Sequence, residues 1–167
     1  MLVLPFSSPW GTMMLGAEGD ELRFLAFPGE KIPEGREGES PVLRQGEAWL
    51  RLYFAGRDPG PTPPCAPRGT PYRMTVWSLL AEIPYAGTLS YGDLGRLYEQ
   101  RTGMHTSPRA IGGALGKNPL PIFLPCHRVL GADGSLTGFA GGLAWKARLL
   151  ELEQGQLNQI METWLCK

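Results

Sequence analysis

Residues 58–71, DPGPTPPCAPRGTP, hold six prolines in fourteen positions, and no other feature limits the fold of this chain as much. Each proline locks φ and removes a backbone donor, so neither a helix interior nor a central strand can run through the stretch. What remains is an extended connector that divides the 167 residues into two short halves. The expected organisation is an N-terminal α/β domain over 1–57, the connector over 58–71, a second domain over 72–155 and a tail over 156–167. Cys65, inside the connector, reads as an unpaired bystander.

In the first half, TMMLGA and LRFLAF are apolar stretches separated by EGDE, the pattern of a hairpin. PGEKIPEGREGES is polar and rich in Gly, Pro and Glu, which predicts an exposed loop. VLRQGEAWLRLYFAG follows with Trp49, Leu52 and Tyr53 at helical spacing.

The second half is punctuated more sharply. Thr70-Pro71 supplies a cap and a first-turn proline for a helix with Val76, Leu79, Leu80 and Ile83 on one face, ending near Pro84. Ser90 opens another helix, with Asp93 three residues on in a variant capping box. Ser107-Pro108 opens a third, PRAIGGALGK, and the two short helices together resemble a helix-turn-helix. YEQRTGMHTS is read as belonging to the turn between them, with His105 in solvent or, alternatively, at a phosphate. VLGADGSLTGF reads as a hairpin turning at Asp133-Gly134, a wing. LAWKARLLELE forms a last helix that stops before Gly155. In the tail, Leu157, Ile160, Met161, Trp164 and Leu165 recur at helical spacing, for packing or for a partner.

With 43% hydrophobic and 19% charged residues, the chain has material for a core. No run reaches the length of a membrane span, and MLVLPFSSPWG lacks the basic flank of a signal peptide, which leads to an expectation of a cytoplasmic protein. Three scattered cysteines and two histidines argue against a disulfide framework and against a structural zinc site. Net charge is zero, but residues 1–69 carry 7 basic and 9 acidic groups against 8 and 6 in residues 70–153. This tilt is too weak to indicate nucleic acid by itself; it marks the half that would face a polyanion.

Two stretches carry chemistry. PRAIGGALGK places Gly112 and Gly113 together inside a helix, at about 1 kcal/mol each against alanine. Ala110, Gly112, Gly113 and Ala114 leave a flat face between Arg109 and Lys117. Either tight packing within the chain or a nucleic-acid groove would explain it, with Arg109 as a probe and the helix N-terminus facing a phosphate. PIFLPCHRV delivers a thiol, a base and a cation in succession. Only the thiolate is a strong nucleophile, so a reactive Cys126 needs help from a base or a positive charge. His127 is adjacent, but neighbours in extended chain point apart, so a water would bridge them. The imidazole in turn needs a carboxylate, for which Glu151 and Glu153 are candidates. An inert, packed cysteine remains open on these residues alone.

GTPYRMTVW, IPYAGTLSYGDL, RAIGGALGKNPLPIFLPCHRV, GSLTGFAGG and LLELE occur in this order over residues 69–153. This half closely resembles the DNA-repair alkyltransferases that remove alkyl groups from the 6-oxygen of guanine. The resemblance implies an α+β protein with a small ribonuclease-H-like N-terminal domain and a winged helix-turn-helix alkyltransferase domain. Cys126 would be the alkyl acceptor, His127 its base through a water, Glu153 the carboxylate behind the imidazole, and Asn118 the brace of the turn. Tyr91 would donate to the departing guanine oxygen, and Arg109 would fill the gap left by a flipped base. Ala110, Gly112, Gly113, Lys117 and Arg128 would join Arg109 at the DNA. The carbonyls of Cys126 and Val129 would read the guanine amino group, with Phe139 and Ala140 in the pocket. Phe139 stands where many members have tyrosine, so a hydroxyl contact is lost.

The implied partner is double-stranded DNA containing alkylated guanine, bound in the minor groove without sequence preference by a monomer, with no cofactor, metal or membrane. The acceptor would be consumed in one reaction. A non-enzymatic damage-recognition protein of the same fold conflicts with the presence of Cys126. A cysteine hydrolase leaves Arg109, the glycine-rich helix and the wing without a purpose.

Overall fold

The computed structural model describes residues 1–134, 139 and 141–165, with side chains through residue 155. Much of the expected wing, Ala140, Cys166 and the apolar side chains of the tail therefore lie outside the described residues. The chain is a mixed α/β structure of two compact units, Met1–Arg68 with Pro119–Phe123, and Gly69–Asn118 with Leu124–Lys167.

The first unit is built on a sheet of order β3-β2-β1-β4. The expected hairpin is present as β2 (Gly11–Glu18) and β3 (Glu21–Ala26), and β1 (Leu2–Ser8) adds an antiparallel strand that the sequence reading omitted. β4 is only Arg36–Glu37, parallel to β1. Met13, Leu15 and Ala17 alternate inward along β2 and are buried. Helix α1 (Pro41–Phe54) supplies Leu43, Leu50 and Tyr53 to the same core, with Ser40 as its N-cap. A Cβ at Gly46 would come within 2.7 Å of Leu15 Cδ2, so glycine there lets helix and sheet approach closely.

The proline-rich stretch does not hang free. Leu22 N–H donates to Pro64 O at 2.8 Å and Ala66 N–H to Leu22 O at 2.9 Å, so it lies along β3 and uses donors that an edge strand leaves unpaired. Pro119–Phe123 belongs to this unit too: Leu25 N–H bonds Pro119 O at 2.8 Å, and the Phe123 ring lies 4.7 Å from that of Trp49.

In the second unit, α2 (Pro71–Leu80), α3 (Tyr91–Thr102) and α4 (Pro108–Leu115) open on Thr70, Ser90 and Ser107, whose side chains accept from the N–H three residues on. α2 ends at Leu80 instead of near Pro84, because the next N–H groups, of Glu82 and Ile83, bond the carbonyls of Leu79 and Leu80 in a tighter turn. α3 absorbs Tyr98–Thr102, half of the segment expected to be turn. Buried Tyr98 packs its ring 5.1 Å from that of Tyr72, and Gly103 closes the helix at φ 70°. The Trp77 indole donates to Ala114 O at 2.8 Å and pins α2 to α4.

β5 (Leu89–Ser90) pairs in parallel with β6 (Val129–Leu130), and a 3-10 turn, Cys126–Arg128, runs into β6. α5 covers Leu143–Leu165 without the expected stop before Gly155. One interior glycine costs about 1 kcal/mol, too little to end a helix of this length.

Ala86, between α2 and β5, adopts φ 63°, a left-handed conformation that disfavours any residue with a Cβ. Ala86→Gly should therefore raise unfolding free energy by about 1 kcal/mol, read as a higher urea midpoint at unchanged slope. An unchanged or lower midpoint would show that the turn carries no strain.

Candidate active site

The apolar run ends at Pro125, and the next three residues form one turn of 3-10 helix. Cys126 N–H bonds Leu124 O at 2.8 Å, and Val129 N–H closes the turn on Cys126 O. Asn118 braces it from the end of α4, donating from Nδ2 to Leu124 O at 2.8 Å while its side chain also bonds the Cys126 thiol. The sulfur is well covered: Cys126 is 3% exposed.

Burial pushes the thiol up to about 11, against smaller opposing effects from Asn118, Lys146 and the turn's N–H groups. At neutral pH the resting sulfur is thus a protonated thiol. Covering a thiol this thoroughly disfavours its charged form.

Behind the turn stands the Glu153 carboxylate, itself 1% exposed. One oxygen meets His127 Nε2, and the other accepts from Arg128 Nε at 2.8 Å and from Ala86 N–H at 3.0 Å. Burial alone would raise its pKa, but its hydrogen bonds to His127 and Arg128 and the positive charge beside it outweigh that and hold it at about 2. The imidazole is pushed below its usual value, chiefly by burial, with Glu153 opposing. His127 is thus neutral at rest, and its Nε2 proton donated to the carboxylate leaves the basic lone pair on Nδ1.

Arg128 is where the expectation fails. It was placed at the DNA surface, yet it is 7% exposed, with Nη1 on Ile83 O at 2.8 Å, Nε on Glu153 and its guanidinium 5.7 Å from the Tyr85 ring centroid. A charge buried this far needs its carboxylate, so Arg128 is a brace for Glu153.

Tyr91 opens α3, half-buried, with Gly112 of α4 on one side and Lys146 of α5 on the other. On α4, Ile111, Ala114 and Leu115 face inward, while Arg109, Ala110, Gly113 and Lys117 are exposed. Among the described residues, the glycine pair serves no close packing within the chain. Of the described residues, a Cβ at Gly113 would meet none within 4 Å, and one at Gly112 would meet Tyr91 at 3.8 Å. Val129 is buried in β6, and both carbonyls assigned to guanine recognition already accept one bond, Cys126 O from Val129 N–H and Val129 O from Lys146. Each retains a second lone pair. Phe139 is half-buried, and its carbonyl accepts from Gly142 N–H at 2.9 Å.

Residues 71–155 match the family model described as 6-O-methylguanine DNA methyltransferase, DNA binding domain. A methylated-DNA–protein-cysteine methyltransferase of Methanosarcina acetivorans is 38% identical over 152 residues, covering 89% of this chain and 95% of that protein. The chain belongs to the methylated-DNA–protein-cysteine methyltransferase family. Another member, from Haemophilus influenzae, is 34% identical and covers 89% of this chain and 84% of its own length. The crystal structure of Mycobacterium tuberculosis OGT in complex with DNA superposes with a TM-score of 0.84 at 34% identity, covering 93% of this chain and 94% of that one.

Three residues around this methyltransferase centre escaped the sequence reading. Lys146 is fully buried, and its spacing of seven from Glu153 was the available signal, because it puts the lysine on the inward face of α5. Ala86 and Gln154 are the others: Gln154 Nε2 donates to Ala86 O at 2.7 Å, so adjacent residues of α5 hold both polar groups of one strained residue. No spacing rule announces such a clamp.

Two outcomes are expected. Because the folded pKa of Glu153 lies below its unfolded value of about 4.5, its contribution to stability is complete above pH 4.5 and disappears as pH falls toward 2. The loss is roughly 3 kcal/mol, and Glu153→Gln should flatten it in urea titrations against pH. Alkylation of Cys126 by iodoacetamide should keep accelerating beyond pH 9, where an ordinary thiol has levelled off. A plateau by pH 9 would show an ordinary thiol.

Proposed function

We propose that this protein repairs DNA by direct reversal, moving the alkyl group from the 6-oxygen of guanine to Cys126 in one irreversible step. The observation that carries this reading is the buried chain from Glu153 through His127 to the turn bearing Cys126. A packed, inert cysteine has no use for a neutral imidazole held by a buried carboxylate.

Each role follows from the chemistry. His127, through a water, accepts the thiol proton as sulfur attacks, and Glu153 stabilises the imidazolium that forms. The attack is in line: the S–C bond forms as the C–O bond breaks, and the electron pair leaves with the guanine oxygen. Tyr91 supplies a hydrogen bond or proton there, which leaves ordinary guanine in the strand. Asn118 holds the turn during the attack. The carbonyls of Cys126 and Val129 read the guanine amino group with their second lone pairs, and Phe139 adds an aromatic wall to the pocket. The product is a thioether, so one molecule acts once.

The reacting atom lies on the base-pairing edge and is inaccessible in duplex, so the nucleotide must be flipped out. Arg109, exposed at the start of α4, fills the vacated stack. Ala110, Gly112, Gly113 and Lys117 form the rest of a thin helix surface in the minor groove. Contacts of that kind go to the backbone and groove walls, so binding is independent of sequence. We assign a ribonuclease-H-like architecture to the sheet unit and a winged helix-turn-helix to the helical unit, acting as a monomer in the cytoplasm.

Incubation with an oligonucleotide containing methylated guanine should add one methyl group to the peptide bearing Cys126, read by mass spectrometry. An unmodified peptide after long exposure would reject transfer. Cys126→Ser should abolish transfer and leave DNA affinity in place. Arg109→Ala should slow repair of duplex far more than reaction with the free base; equal slowing would exclude base extrusion by that side chain.

A further inference from the structure

The turn that leads from α3 into α4 stands out in solvent: of residues 103–110, Thr106 alone is half-buried and the rest are exposed. Two helices hold that one residue. Its N–H donates to Glu99 Oε1 on α3 at 3.2 Å, and its hydroxyl lies 2.6 Å from the Tyr72 hydroxyl on α2, where either group can donate. Tyr72 is fixed in turn against the Tyr98 ring, 5.1 Å away, and the Thr106 methyl sits over Gly95, 3.5 Å from where a Cβ would stand. Arg109 follows three residues later. We propose that Thr106, latched by Tyr72 and Glu99, is a positioning residue for base extrusion, which fixes the entry of α4 and with it the placement of Arg109. This inference rests on the alkyl-transfer reading.

α4 needs support from outside because it has little of its own. It is eight residues long and includes Gly112 and Gly113, and a helix that short does not persist alone in water. Its far end is tied by the Trp77 indole to Ala114 O at 2.8 Å, and Ile111 anchors its middle in the core. At its near end the Ser107 cap accepts from Ala110 N–H at 3.1 Å, a bond that travels with the helix and fixes nothing relative to its neighbours. Thr106 supplies the fixed point. A side chain that displaces a stacked nucleotide works best when already in place, because one ordered only on contact loses its conformational freedom during extrusion. Glu99 also lies 3.7 Å from Nδ1 of the fully exposed His105, a solvated pairing that adds little.

Thr106→Val removes the hydroxyl and keeps the branched shape. Without DNA, the Ile111 amide, bonded to Ser107 O at 3.0 Å, should exchange its hydrogen about fivefold faster in that variant, while amides of α2 and α3 keep their rates. With methylated duplex, transfer to Cys126 should slow about fivefold, and reaction with methylated guanine as the free base should stay within about twofold. The latch acts through Arg109, so in an Arg109→Ala background Thr106→Val should change duplex repair by less than about twofold. A full loss in that background overturns the inference, as does equal slowing of duplex and free base.

Tyr72→Phe removes the same bond from its other side and should reproduce both changes, with the double variant no slower than either single one. Glu99→Gln keeps an acceptor for the Thr106 N–H and should repair duplex at the unmodified rate, whereas Glu99→Ala should be slow. Wild-type amide exchange in a folded Thr106→Val protein would show that the latch does not hold α4. Should that variant not fold, Tyr72→Phe decides by the same measurements. If the unmodified protein leaves Cys126 unmethylated, the alkyl-transfer reading fails, and exchange at Ile111 still decides whether Thr106 holds the helix.

Discussion

The Glu153 carboxylate is the tie on which the active centre depends. It is buried and ionised, a state sustained by the bonds it receives from His127, Arg128 and the Ala86 N–H. Those three donors come from two separate stretches of chain, the thiol turn and the loop before Tyr91. One side chain on α5 thereby orients the His127 imidazole, fixes the Arg128 guanidinium and anchors the loop that leads to Tyr91. The parallel pairing of β5 with β6 joins the same two stretches from the other side.

Around this tie the centre is asymmetric in charge. On one side the sulfur is held protonated by burial, with a neutral imidazole as acceptor. On the other lie the Lys146 side chain and the Tyr91 ring, 5.8 Å apart. Chemistry begins from neutral partners, so most of the charge separation arises during the attack itself. A site of this design gains from excluding water, because each fixed dipole acts more strongly in a low-dielectric surrounding.

Local signals were legible in the sequence wherever the physics is local. The caps at Thr70, Ser90 and Ser107 and the hairpin of β2 and β3 follow from short-range rules of turns and backbone donors. The choice of Glu153 came from family resemblance; spacing alone left it level with Glu151. Arg128 was misplaced because a cation beside a thiol looks the same in sequence whether it faces solvent or a buried carboxylate. Lys146, Gln154 and the strained Ala86 were missed because their partners are remote in sequence: Gln154 and Ala86 are 68 positions apart. The return of Pro119–Phe123 to the sheet unit is equally non-local.

The cover over Cys126 has a consequence beyond the transfer reaction. Peroxide attacks the thiolate, and the ladder from sulfenic to sulfonic acid starts only from that form. A sulfur kept protonated and 3% exposed is shielded from this loss during the long intervals between lesions. If each molecule spends its sulfur once, as proposed, resistance to stray oxidants sets how much of the standing pool is still competent when damage arrives.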